Sequence, residues 1–232
     1  MVDIRPYYCT VRLILASASP RRAELLRSAG YTFDVVVANV DESIRPGESP
    51  STYVRRLAAD KSAAVIVRAT ADLKVCVTSG SSDLKVCATP DATGPEGVQA
   101  FRPADVIILG ADTTVVVDGV ILGKPRDDED GREMLRRLSG KAHQVLTGVS
   151  LRQGAYEVGR VETTSVTFRV LTDEDISWYL ASGEGRDKAG GYAIQGFASR
   201  FIPSIAGSYS NVVGLPVACV DELLRSLLAS RL

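Results

Sequence analysis

The stretch DVIILGADTTVVVDGVILGKP (105–125) most restricts what this chain can fold into. Val106 to Leu109 is continuously apolar, the pattern of a strand covered on both faces. Asp112 is expected at the end of that buried strand. Asp118-Gly119, between TTVVV and VILGK, is a type I′ hairpin signal. VRLILA (11–16) reads as a second buried strand, followed by a helix over 20–29 and a strand near 33–38. The loop NVDESIRPGESP carries Asp41 and Glu42, and Pro50 opens a long helix to about residue 69.

Further along, a helix over 128–138 is stopped by Gly140, and strands at 143–152 and 156–170 are joined at Gln153-Gly154. Thr172 and Asp175 approximate a capping box for a helix to about Ser182, ended by Gly183. A glycine-rich charged loop (183–196) and an amphipathic helix (217–229) complete the pattern. The order is mixed α/β with several hairpins. It does not alternate strictly, and no GxGxxG follows the first strand, which argues against a Rossmann domain.

Several charges stand in unusual places. In SASPRRAELLRSAG (17–30), Ser19 suits an N-cap, Pro20 the first helical position and Gly30 the C-terminal stop. Arg21 and Arg22 then fall at the positive end of the helix dipole, an arrangement that an anion would make tolerable. Lys61 lies on the apolar stripe of Val54, Leu57, Ala58, Ala64 and Val65, and either snorkels outward or points into a site. Lys124 follows a hairpin strand, and Lys188 sits in the glycine-rich loop. A triphosphate matches this many cations better than a single phosphate. Glu42 and Asp112 can then hold a metal, and one of them can orient or deprotonate a water. No protein nucleophile is required. Each residue alone also has a bland explanation: an Asp at a strand end often caps the next turn.

Composition narrows the classes. The chain has 232 residues and a net charge of -1, which gives no support to broad binding of nucleic acid or a membrane surface. No apolar run approaches the ~18 residues needed to span a bilayer. The N-terminus lacks the apolar core of a secretory signal, so a cytoplasmic location is expected. The single histidine, His143, is expected to be structural and excludes a multi-histidine metal site. None of the four cysteines forms a CxxC pair. A metal would therefore rely on carboxylate and phosphate oxygens, which points to magnesium or manganese.

Residues 72–90 contain an internal repeat, DLKVCVTS followed by DLKVCATP, which reads as a β-hairpin. It leads into an exposed Gly- and Pro-rich loop to about residue 103. It is either a duplication accepted at the surface or a partner-binding or lid element.

Six ordered blocks, ILASASPRRAELL, VDES, YVRRLAADKSAAV, ILGADTTVVVDGVILGKP, LSGKAHQVLTGVSL and DKAGGYAIQGFASRFIPSIAGSYSNVVGLP, closely resemble the Maf family of nucleoside triphosphate pyrophosphatases. The resemblance implies an elongated, twisted mixed sheet flanked by helices, with two lobes around a cleft, as in the inosine-triphosphate pyrophosphatases. It implies one Maf-like domain over residues 1–232, with the repeat-containing segment at about 72–104 as an insertion. It implies hydrolysis between the α- and β-phosphates, with Asp112 accepting a proton from water and Glu42 at the metal or water. Ser17, Arg22, Lys61 and Lys124 would face the phosphates. Arg21, Thr113 and Gln195 stand where base preference is set, in the combination of the dTTP/UTP branch. The 7-methyl-GTP branch usually has a tryptophan before the arginine and a glutamate where Gln195 stands. A homodimer is usual in the family. Its association with septum formation leaves a second possibility, a nucleotide-sensing division regulator without turnover.

Overall fold

The computed structural model describes residues 11–71 and 106–229. The duplicated segment and its loop lie outside the described residues. The chain order is β1 (Arg12–Ala16), α1 (Pro20–Ser28), β2 (Phe33–Val35), α2 (Pro50–Ala71), β3 (Val106–Val117), β4 (Val120–Leu122), α3 (Asp128–Leu138), β5 (Ala142–Gln153), β6 (Tyr156–Thr167), α4 (Asp173–Ala181), β7 (Ser204–Ala206), α5 (Tyr209–Val213) and α6 (Val217–Ala229). Two short 3₁₀ turns, Ala189–Gly191 and Phe197–Phe201, lie between α4 and β7.

Among the described residues seven strands form one mixed sheet, in the order β2-β1-β3-β5-β6-β7, with β4 paired to β3. β1 runs parallel to both β2 and β3, and the remaining pairs are antiparallel. The expected β3–β4 hairpin turns at Asp118 and Gly119, both with positive φ (50° and 75°), as a type I′ turn requires. Gln153 pairs with Tyr156, so the next hairpin turns one residue later than the sequence suggests, at Gly154-Ala155.

β3 is one unbroken 12-residue strand, so Asp112 sits in its middle rather than at its end. Gly110, two residues before Asp112, has a steric task. A Cβ there would lie 2.1 Å from the Ala58 carbonyl oxygen, and one at Gly148 would lie 2.1 Å from that of Val54. These two glycines let the backbone of α2 press directly onto β3 and β5. The buried stripe of α2 is accordingly Val54, Leu57, Ala58, Lys61, Ser62 and Val65, with Ser62 replacing the expected Ala64.

β3 also runs through two apolar cores. Ile107, Leu109 and Ala111 pack with α1, α6, Val149 and Leu151. Val115 and Val117 pack with α3, α4, Phe168 and Phe201. The boundary between the two lobes therefore falls at Asp112–Thr114. No helix among the described residues is long and apolar enough to cross a membrane.

Candidate active site

β1 pairs with β3 only as far as Ala16 opposite Gly110, where the chain leaves through Ser17 into α1. β4 covers that edge again from Val115. Residues 111–114 of β3 thus have no strand beside them on this edge among the described residues. Successive side chains of a strand point to opposite faces, so Asp112 faces α2 while Thr113 faces α1 and α6. At a gap in the sheet both can serve one cleft, the usual location for ligands beyond the carboxyl ends of strands.

Arg22 fills the α1 side and is buried. Its guanidinium donates from Nε to the Gly214 carbonyl at 2.8 Å, from Nη1 to Ser17 Oγ at 3.1 Å and from Nη2 to Thr113 Oγ1 at 3.0 Å. All three acceptors are neutral. Burial pushes the Arg22 pKa down, Asp112 and Glu42 pull it up, and Arg21 opposes them. A cation held among neutral oxygens, close to two acids but bound by neither, has charge left for an anion. Ser19 occupies the N-cap position of α1 but makes no side-chain cap; its own N–H donates to Ser17 Oγ at 3.2 Å. The expected capping role is therefore absent, and Ser17 organises this turn instead.

Lys61 points into the site. Only 8% exposed, its Nζ donates to Asp112 Oδ1 at 2.7 Å and pairs with Glu42 Oε1 at 2.7 Å. Burial alone would raise the Glu42 carboxyl, but the Lys61 hydrogen bond and charge, with Lys124 and Arg22, hold it below the usual range. Lys124 is exposed and contributes through its charge toward Glu42.

The loop that carries Glu42 is anchored to α2. Arg56 forks onto Glu48 at 2.6 and 2.8 Å and donates to the Ser43 carbonyl at 3.0 Å, while Tyr53 Oη donates to the Glu42 carbonyl at 3.0 Å. The Arg56 fork, with the Arg45 N–H, holds the Glu48 carboxyl down at about 2. Burial, with the charges of Asp112 and Glu42, pushes the Tyr53 phenol up to about 12. Tyr53, Arg56, Glu48 and the Gly214 carbonyl were not singled out from the sequence. Their partners lie far away in the chain, and no spacing signals them.

Arg21 and Lys188 form a second group on the rim. Burial lowers the Arg21 pKa against the pull of Asp187 and Glu24. Lys188 is ion-paired with Asp187, whose carboxyl is held low by that bond and by the charge of Arg21. Gln195 is exposed in the turn before the second 3₁₀ segment. Thr113 is not free: besides accepting from Arg22, its hydroxyl lies 3.0 Å from Thr147 Oγ1. His143 is buried in the second core, 2.8 Å from Tyr192 Oη and edge-on to Phe168, as expected of a structural residue.

Among the described residues no group of three or more His, Cys, Asp or Glu side chains is arranged to hold a metal. Glu42 and Asp112 do converge on a single positive charge. Two carboxylates suit a divalent ion that takes its remaining ligands from phosphate and water.

The fold and this gap define a mixed α/β protein in which buried and exposed cations meet two acids at a break in the sheet. The chain belongs to the Maf family: the model for Maf-like protein matches residues 12–227. It is 45% identical over 219 residues to a dTTP/UTP pyrophosphatase of Anaeromyxobacter sp., covering 92% of this chain and 88% of that one. It is 42% identical over 219 residues to a dTTP/UTP pyrophosphatase of Escherichia coli O157:H7, covering 94% of each.

Proposed function

We infer that this protein is a nucleoside triphosphate pyrophosphatase that hydrolyses dTTP and UTP to the monophosphate and pyrophosphate. The similar proteins carry that activity in their names. The observation that carries the reading here is the meeting of Arg22, Lys61 and Lys124 with Asp112 and Glu42 at one gap in the sheet.

The three cations spread the charge of the phosphate tail and hold it in register with α1. Lys61 is shared between two acids. Phosphate oxygens compete for its ammonium and release Asp112 to accept the proton of an attacking water. Arg21 and Gln195 face the base. The influence of Thr113 passes through the Arg22 fork it supports. Glu42 and Asp112 are the residues that would hold magnesium or manganese, and such an ion would supply further neutralisation of phosphoryl charge. A cytoplasmic location, a homodimer and a single domain carrying an insertion at about 72–104 belong to the same proposal and rest on the family resemblance.

The test is pyrophosphate release from dTTP, UTP, purine triphosphates and 7-methyl-GTP with magnesium or manganese. dTTP and UTP should exceed the others by about 10-fold or more. Equal turnover of all bases sinks the pyrimidine assignment, and binding without product sinks the enzymatic one.

A further inference from the structure

Glu184 lies in the loop beside the rim group, and its carboxylate is tightly placed. Its Oε1 accepts from the Phe197 N–H at 3.0 Å, while its Oε2 is buried without a hydrogen-bond partner. A Cβ at Gly196 would lie 1.7 Å from Oε1 and 2.7 Å from Oε2. The backbone of Gly196 is not in the left-handed region, so space rather than conformation demands glycine there. The carboxylate therefore occupies the volume of the missing side chain and grips the turn from inside.

The other end of the same turn is held by Tyr179. This phenol is 1% exposed, and its Oη accepts from the Ala193 N–H at 3.2 Å. Burial, the nearby Glu184 carboxylate and the opposing charge of Arg21 all act on it. Trp178, next to Tyr179 on α4, packs against Phe197 with ring centroids 5.6 Å apart. One helix and one acid thus clamp residues 193 and 197, and Gln195 stands midway between them. Tyr179 also lies within electrostatic range of Arg21.

We propose that Glu184, with Tyr179 as its counterpart, is a positioning residue that fixes the turn presenting Gln195 and so sets base selectivity. This rests on the reading that Gln195 faces the base. Losing a charge-assisted bond to the turn should weaken pyrimidine recognition about 10-fold without touching the phosphate chemistry.

The experiment measures kcat and KM for dTTP, UTP, dATP and dGTP in Glu184→Ala, Glu184→Gln, Gly196→Ala and Gln195→Ala. Glu184→Ala should raise KM for dTTP and UTP about 10-fold, keep kcat within about 3-fold and narrow the gap to the purines. Gly196→Ala, which displaces the carboxylate, should do the same, and it decides the matter if Glu184→Ala does not fold. Glu184→Gln still offers an acceptor to Phe197 and should restore wild-type selectivity. Unchanged selectivity in both alanine variants, while Gln195→Ala loses it, overturns the clamp. So does a Gln variant as impaired as the Ala variant, or a kcat that collapses equally for every base. Unchanged selectivity in Gln195→Ala instead removes the underlying reading of the base site.

Discussion

Replacing Gly110 with alanine tests whether the close seat of α2 on the sheet is what puts Lys61 on Asp112. The new Cβ would meet the Ala58 carbonyl oxygen at 2.1 Å and the Ser62 amide nitrogen at 2.8 Å. A tolerable carbon–oxygen approach is about 3.3 Å, so the helix must retreat by about 1.2 Å at this point. Ala58 and Ser62 lie within one turn of Lys61. A rigid retreat would stretch the Lys61–Asp112 contact from 2.7 Å to about 3.9 Å, outside hydrogen-bond range. Overpacking of this kind costs about 1–3 kcal/mol, and a displacement of about 1 Å can cost up to about 100-fold in rate. The expected outcome is a urea midpoint lowered by the equivalent of about 2 kcal/mol and a kcat for dTTP lowered about 10- to 100-fold. Gly123 has nothing within 4 Å of an added Cβ and no positive φ, so Gly123→Ala controls for stability and should leave the midpoint unchanged. A Gly110→Ala protein with wild-type midpoint and turnover would refute the reasoning.

Arg22→Lys keeps a charge but cannot reproduce donation from three nitrogens to Ser17, Thr113 and Gly214. KM for dTTP should rise about 10-fold or more, with a circular dichroism spectrum like that of the wild type; an unchanged KM contradicts the fork's role. Burial depresses the His143 pKa to about 4. The folded state then binds fewer protons than the unfolded chain, whose histidine titrates near 6.5, so this contribution is complete above about 6.5 and fades as pH falls toward 4. Urea unfolding at about pH 7.5 and about pH 5 should differ by roughly 2 kcal/mol through this group. His143→Phe should show a correspondingly smaller difference, and an identical pH dependence in that variant would contradict the assignment.

Local chemistry made much of the fold legible. Asp118-Gly119 specified its turn because two left-handed residues are needed there, and Thr172 with Asp175 formed the full capping box despite an aspartate in place of the usual glutamate. Asp112 read as a strand end because the apolar run stops at Leu109, but β3 continues beneath α2, whose backbone Gly110 admits. Ser19 had the composition of a cap, yet Ser17 took over that turn because Arg22 needed an acceptor. The charges that the structure gathers at the gap, Arg22, Lys61, Glu42 and Asp112, stood out in the sequence as charges in unusual places. Their supports did not, because the Tyr53 bond to the Glu42 carbonyl, the Arg56 fork and the Gly214 carbonyl are long-range contacts fixed only by packing. The clamp on Gln195 was equally hidden, since Glu184 reads as one more charge in a polar loop.

The central claim is that Asp112 readies water for attack on a polyphosphate gathered by Arg22, Lys61 and Lys124. The most direct measurement is the single-turnover rate of pyrophosphate release from bound dTTP in Asp112→Asn beside the wild type. Asparagine keeps an oxygen for Lys61 but cannot take a proton, so dTTP should still bind while the rate falls at least ~100-fold. A rate equal to that of the wild type would contradict the account.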